Sequence, residues 1–297
     1  MKWWTGLWLN EGFAEYAGLR GVDFLFPDSK FFQVKNVENF LLVLDFDSDQ
    51  AADPLSVAIE KPDDIAPISA DPITFAKGPI LLHMMNTLLG ENTFKQGIRN
   101  YIHKYKFSNA EQDDLWCLLT EEAHRQGTLD KNLTVKQIMD PWIFQPGYPV
   151  LNVVRDYSAG TVTLTQERYL SIKSNVLFRV SYDTRNWMGI ICTLNDPTKY
   201  ETIPTLNRVQ LILDSLGFSK AGDMDYEITF QLLKYLRNEK EYSPWFAALT
   251  EWRKIDYLLM RTPKHAVFQV SLKGISYFII NYKRLGFLTM SYSFVHE

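Results

Sequence analysis

The chain has 297 residues, of which 46% are hydrophobic and 22% are charged, values that are ordinary for a globular protein of two or three domains. The formal net charge of −4 offers no basic patch, so we expect no nucleic-acid partner. No apolar run reaches the roughly 18 residues that a membrane span needs. Residues 1–9 lack the pattern of a signal peptide.

The two cysteines, Cys117 and Cys192, lie far apart in the sequence and fit no metal-binding or redox spacing. A disulfide between them and two buried free thiols are the two alternatives. Because no spacing supports a pair, we favour two buried free thiols.

The first half of the chain has the apolar spacing of helices. Residues 9–17 place apolar side chains on one face, and this pattern ends near Gly21 and Pro27. Residues 45–72 are polar and rich in proline, which predicts an extended loop. Further helices are predicted at residues 73–90, 93–104, 113–126 and 135–142.

Strand-like patterns begin at Pro149. Residues 151–154 and 161–165 are β-rich runs on either side of the turn signal Ser-Ala-Gly, which predicts a β-hairpin. Residues 176–182 predict a third strand. Helical spacing returns from Ile203 onward, so the order is a helical block, a small β block and a second helical block.

One carboxylate near the N-terminus, Glu11, falls early in the first predicted helix. The helix dipole stabilises a negative charge there, so the position alone gives no reason to infer a metal ligand. Residues 3–14 around it read Trp-Trp-Thr-Gly-Leu-Trp-Leu-Asn-Glu-Gly-Phe-Ala. This stretch resembles the segment that follows the zinc helix in gluzincin aminopeptidases of the aminopeptidase N type.

The resemblance implies a role for Glu11. In that family the Glu of Asn-Glu-Gly is the third zinc ligand, while an H-E-x-x-H helix supplies two His ligands and the general base. Further similar motifs follow in the same order along the chain. They are residues 53–56 (Asp-Pro-Leu-Ser), 75–78 (Phe-Ala-Lys-Gly), 147–150 (Gly-Tyr-Pro-Val), 179–183 (Arg-Val-Ser-Tyr-Asp), 207–212 (Asn-Arg-Val-Gln-Leu-Ile) and 242–245 (Tyr-Ser-Pro-Trp).

The fold class that the resemblance implies is α+β and mainly α. Residues 1–148 would be the helical remnant of a thermolysin-like catalytic domain, and residues 149–185 a truncated β-sandwich. Residues 186–297 would begin a C-terminal helical domain, with residues 270–297 unrelated to the family. We interpret this tail as translated intron sequence; the alternative is a divergent helix or strand.

The family reaction is the zinc-dependent removal of N-terminal residues from peptides, by enzymes at the outer face of the plasma membrane or secreted. This sequence has five histidines, none spaced His-x-x-x-His, and the resemblance places the zinc helix ahead of Met1. A hydrolytic zinc site needs three protein ligands and an open position. We therefore expect a fragment or degenerate paralogue in which Glu11 is an orphaned ligand, zinc is not bound and peptides are not cleaved.

A second departure from the family lies at Phe75. The family carries Tyr at this position, where its hydroxyl donates a hydrogen bond to the developing oxyanion. Phenylalanine lacks that donor, and we expect Phe75 to be a core aromatic. No intact catalytic residue remains on this interpretation. The alternative function is a non-catalytic interaction module that pairs with a full-length relative.

The match also weakens between residues 170 and 175, where relatives carry several more strands. Three strand runs alone would leave sheet edges unpaired, and small isolated sheets are marginally stable.

Overall fold

The computed structural model describes residues 2–171, 184–263 and His265. The chain divides into two compact units, Met1–Ser174 and Asn175–Glu297, and each is described by itself. The strand predicted at residues 176–182 and the tail at residues 270–297 lie outside the described residues. The three-part division inferred from the sequence stays a prediction.

The first unit is a set of helices followed by a β-hairpin. Its elements are α1 (Leu7–Leu25), α2 (Phe31–Asp47), α3 (Ile65–Ala70), α4 (Pro72–Leu89), α5 (Glu91–Lys104), α6 (Gln112–Gln126), α7 (Val135–Phe144), β1 (Pro149–Asp156) and β2 (Thr161–Arg168).

A single apolar core joins α1, α2, α4, α5, α6 and α7. Their buried aromatic and aliphatic side chains come from positions spaced by three and four residues, as packing of helical faces requires. The burial of these apolar side chains away from water is the main contribution to the stability of the unit. The core includes Trp8, Tyr16, Phe32, Leu82, Met85, Phe94, Leu115, Trp116, Leu119, Met139 and Ile143.

Local signals at the helix ends explain where several helices begin and end. The Asp71 carboxylate accepts a hydrogen bond from the backbone N–H of Ile73, and Pro72 occupies the first turn of α4. Thr134 and Gln137 form a capping box at the start of α7. Gly127, at a φ of +70°, ends α6.

The extended loop predicted for residues 45–72 is only partly correct. Helix α2 continues to Asp47, and α3 forms from Ile65 to Ala70. Proline is tolerated in the first turn of a helix because the N–H it lacks has no partner there in any case. The proline-rich composition therefore does not exclude a short helix.

The predicted β-hairpin is present. Strands β1 and β2 pair antiparallel from Pro149 opposite Arg168 to Asp156 opposite Thr161, around a turn with Gly160 at a φ of +62°. Arg168 fixes the base of the hairpin, because its Nη2 donates to the backbone oxygen of Asp49 at 2.6 Å. Within the described part of the chain, the two strands form a two-stranded sheet.

The hairpin carries four exposed aliphatic side chains on one face. Because neighbouring residues of a strand point to opposite faces, Leu151, Val153, Val162 and Leu164 share this face, on which Leu164 lies opposite Val153. Arg155 and Gln166 lie on the same face. The opposite face carries Asn152, Thr163 and Thr165 together with Val154, which is also exposed.

The described part of the second unit is helical. It contains α8 (Thr184–Asn195), α9 (Thr205–Lys220), α10 (Tyr226–Leu233) and α11 (Tyr242–Leu259). A buried ion pair links α9 to the segment before α11: Arg208 donates to both carboxylate oxygens of Glu239, at 2.7 and 2.9 Å. The return of helical spacing after Ile203 agrees with α9 and α10.

The helical content and the small sheet confirm the α+β, mainly α fold class. Both cysteines are free, as expected, but the prediction that they are buried is wrong: Cys117 and Cys192 are exposed on the outer faces of α6 and α8. In the described ranges, none of the helices combines the length and apolar character that crossing a bilayer demands.

Candidate functional site

Glu11 lies in the second turn of α1, the helix that the sequence motif predicts. Its side chain is half-buried, and Oε1 accepts a hydrogen bond from Nδ2 of Asn10 at 3.1 Å. Glu15, one turn further on, is exposed. Gly12, the residue after Glu11, is buried and lies where α1 contacts α4.

The contact between α1 and α4 brings the two predicted site residues onto neighbouring helices. A Cβ placed on Gly12 would lie 3.0 Å from Cα of Gly78, so the two backbones touch directly. Phe75 is one helical turn before Gly78 and Glu11 directly precedes Gly12, so both residues belong to the turns at this crossing.

The expectation that Phe75 is a core aromatic is wrong. Its side chain is 41% exposed, whereas its neighbour Ala76 is buried. The helical pattern of α4 accounts for this, because Ala76 and Pro79 occupy the core face and Phe75 falls outside it. Phe75 thus places an exposed aromatic ring beside the α1–α4 crossing.

A buried ion pair fixes α4 to α2. Nζ of Lys77 lies 2.6 Å from Oδ2 of Asp47, and the two side chains are 4% and 1% exposed. Asp47 is the last residue of α2, and Oδ1 of its carboxylate is buried without a hydrogen-bond partner. Because its ammonium is paired with Asp47, Lys77 stabilises the contact between α4 and α2 and is not free to contact a ligand.

The chemistry of the donor set decides whether this part of the chain can hold zinc. A useful site needs three ligands, commonly two histidines and a carboxylate. Across the residues that the structure describes, no three His, Cys, Asp or Glu side chains come together in a way that could hold a metal ion. Glu11 alone does not fit a zinc ion.

A groove of about 1030 Å³ runs along another face of α1. Its α1 wall consists of Leu9, Asn10, Phe13, Ala14 and Ala17, and Glu11 and Phe75 are not among the residues that line it. The groove is thus distinct from the α1–α4 crossing. Apolar side chains of α5 form its opposite wall, namely Ile98, Tyr101 and Ile102.

The sequence did not single out Gly78 or the pairing of Lys77 with Asp47. One available signal was that Lys77 and Gly78 belong to one of the family-like motifs. A lysine among apolar residues on a helix, in a segment of mostly buried character, could have indicated a buried partner, because lysine is almost never fully buried unpaired.

Two protein-family models match this chain. A sequence model of the peptidase family M1 domain matches residues 1–142, and a model of the ERAP1-like C-terminal domain matches residues 172–293. The chain belongs to the M1 peptidase family. The second match extends past Val270, the point at which the sequence motifs end. The β1–β2 hairpin lies between the two matched ranges.

Several M1 relatives are aminopeptidases by name. Human glutamyl aminopeptidase is 30% identical over 303 residues, which cover 82% of this chain and 30% of the relative. Rat aminopeptidase N is 28% identical, covering 92% of this chain and 34% of the relative. The rat thyrotropin-releasing hormone-degrading ectoenzyme is 26% identical, covering 96% and 32%.

The chain thus spans about a third of the length of the M1 relatives it matches. The alignment with the rat ectoenzyme is 348 residues long, more than the 297 residues of the whole chain. That relative therefore carries, within the matched region, residues that this chain lacks. The expectation that relatives hold more strands near residues 170–175 stays a prediction.

Proposed function

We propose that this chain is a section of a zinc-dependent aminopeptidase in which Glu11 occupies the position of the third zinc ligand. The observation that carries the proposal is the placement of Glu11 on α1 at the crossing with α4, the helix that bears the family's tyrosine position. Membership of the M1 family supports it. Peptides with a free N-terminus would be the substrates of the whole enzyme.

The 297-residue polypeptide by itself is proposed to be inactive. It supplies one family ligand, and none of its five histidines forms a His-x-x-x-His pair with another. A lone carboxylate on a half-exposed helix face lacks the chelation on which zinc affinity depends. Because a relative is named an ectoenzyme, we further propose that a protein containing this chain acts outside the cell.

A hydrolysis assay on the purified chain tests the proposal. Incubation with an aminoacyl anilide and added zinc should release no anilide above the protein-free rate. Chelator-sensitive turnover that Glu11→Ala abolishes would refute the inactivity and show that a metal site is assembled. Turnover that survives Glu11→Ala would point to a contaminating peptidase.

A second candidate function is association with an intact relative, without catalysis. The observation that favours it is the exposed aliphatic face of the hairpin, formed by Leu151, Val153, Val162 and Leu164. Exposed apolar patches mark interaction sites. Sedimentation of the chain with rat aminopeptidase N should show a shared complex that Leu164→Thr weakens, and sedimentation as two separate species would argue against this function.

A further inference from the structure

Two glycines bring the backbones of α1 and α4 into direct contact. A Cβ on Gly78 would lie 2.8 Å from Cα of Gly12 and 2.9 Å from the backbone oxygen of Trp8. Distances under 3.0 Å to backbone atoms cannot be relieved by rotating a side chain, so one helix would have to move. The distance between the helix axes is therefore set by the absence of a side chain at both positions.

The other glycines show that this contact is specific. Gly18 and Gly21, also in α1, have no atom within 4 Å of an added Cβ. An added Cβ on Gly97 in α5 would meet mainly the flexible side chain of Leu119, which can give way. Gly12 and Gly78 thus differ from these glycines because their neighbours are backbone atoms.

An ion pair at the residue before Gly78 gives α4 a second contact. Lys77 ties α4 to the end of α2 through Asp47, with both groups buried. Helix α4 is consequently fixed at successive residues, by charge at Lys77 and by close approach at Gly78. Phe75 is within one turn of both contacts.

We infer that Gly12 and Gly78 are a positioning pair, which sets the separation between Glu11 on α1 and Phe75 on α4. Neither glycine touches substrate. Their role is to let the helix that bears the ligand and the helix that bears the family's tyrosine position approach closely. The functional meaning of this separation rests on the proposed role of Glu11, but the separation itself is measurable without metal or turnover.

Electron paramagnetic resonance on spin-labelled chain tests the inference. Cys117 and Cys192 are replaced by serine, and nitroxides are attached at Glu11→Cys and Phe75→Cys. Gly12→Ala or Gly78→Ala should lengthen the interspin separation by about 1 Å or more, because interhelical distance follows the size of the residues at the contact.

The matched control is Gly18→Ala, which adds the same methyl group to α1 where there is open space. It should leave the separation unchanged. A second label pair across α5 and α6, at Lys95→Cys and Glu121→Cys, should be unaffected by every variant and so reports that the rest of the unit is intact.

Two outcomes would overturn the inference. One is an unchanged separation in alanine variants whose helix content by circular dichroism equals that of the parent. The other, which needs no alanine variant to fold, is a broad distribution of separations in the parent with both glycines present. Neither outcome depends on zinc, so failure of the proposed enzymatic role and failure of the positioning role are distinguishable.

Discussion

The ammonium of Lys77 and the carboxylate of Asp47 meet at 2.6 Å in a part of the first unit that excludes solvent. The two residues are thirty positions apart and lie on different helices, α4 and α2. A buried pair of this kind costs desolvation free energy for both groups, and removing one partner leaves the other charge uncompensated.

Replacing Lys77 by Met should lower the free energy of unfolding by about 3–5 kcal/mol, because the Asp47 carboxylate is then buried without its counter-ion. The double variant Lys77→Met with Asp47→Leu should recover much of that loss. Urea unfolding of the three proteins measures the difference. The control is Lys136→Met, which breaks solvent-accessible pairs with Asp113 and Asp140 and should cost less than about 1 kcal/mol. Equal losses at positions 77 and 136 would contradict the burial argument.

Alanine substitutions at Gly18, which faces open space, and at Gly12, which contacts α4, should have effects of opposite sign on stability. Gly18→Ala should stabilise the first unit by about 0.5–1 kcal/mol, because alanine loses less backbone entropy in a helix. Gly12→Ala should destabilise it by about 1–3 kcal/mol, since the added methyl group overpacks the α1–α4 contact. Thermal unfolding followed by circular dichroism measures both. A stabilising Gly12→Ala would mean that α1 and α4 do not touch.

Asp214 on α9 should make the stability of the second unit depend on pH. Burial raises the pKa of its carboxyl from 3.8 to about 6, against the smaller effect of the hydrogen bond from Gln210. Because the pKa is raised in the folded state, the favourable contribution is complete below about pH 4 and is lost as pH rises through 6.

Asp214→Asn should therefore flatten the stability profile between pH 4 and 7 and raise the free energy of unfolding at pH 7 by about 1–3 kcal/mol. Denaturant titrations at several pH values measure this. Asp223→Asn, a change in the turn that follows α9, serves as a comparison on the same unit. A profile that keeps its slope in Asp214→Asn would show that another group titrates.

Phe75→Tyr should matter only where a zinc helix is present. In a chimera that joins the upstream H-E-x-x-H portion of rat aminopeptidase N to this chain, the substitution should raise kcat by about 10²–10³-fold, the usual worth of one oxyanion donor. Phe75→Leu, which adds no hydroxyl, should leave kcat near that of the unsubstituted chimera. Equal rates for the tyrosine and phenylalanine forms would exclude a donor role at this position.

Local signals made much of the helical framework predictable from the sequence. The ends of α6 and α7 follow from Gly127, Thr134 and Gln137, which act within one turn of the chain. The exposure of Phe75 and the pairing of Lys77 with Asp47 could not be read in this way. Both depend on which face of α4 meets α2, and that is decided by packing between segments far apart in sequence.

The candidate site was predictable only as far as its motif. The resemblance located Glu11 and the aligned Phe75, but their place on neighbouring turns of two helices follows from the contact of Gly12 with Gly78. A glycine within a helix usually lowers stability. Its role in close helix packing can be recognised only when the position of the neighbouring backbone is known.

The exposed hairpin affects how the chain behaves in solution. Its aliphatic face adds little to the stability of a single molecule, because Leu151, Val153, Val162 and Leu164 stay in contact with water. The free energy that these side chains could release is available only on meeting another apolar surface. Protein concentration and the presence of other apolar surfaces, more than the stability of the helical core, will therefore determine whether the polypeptide remains monomeric.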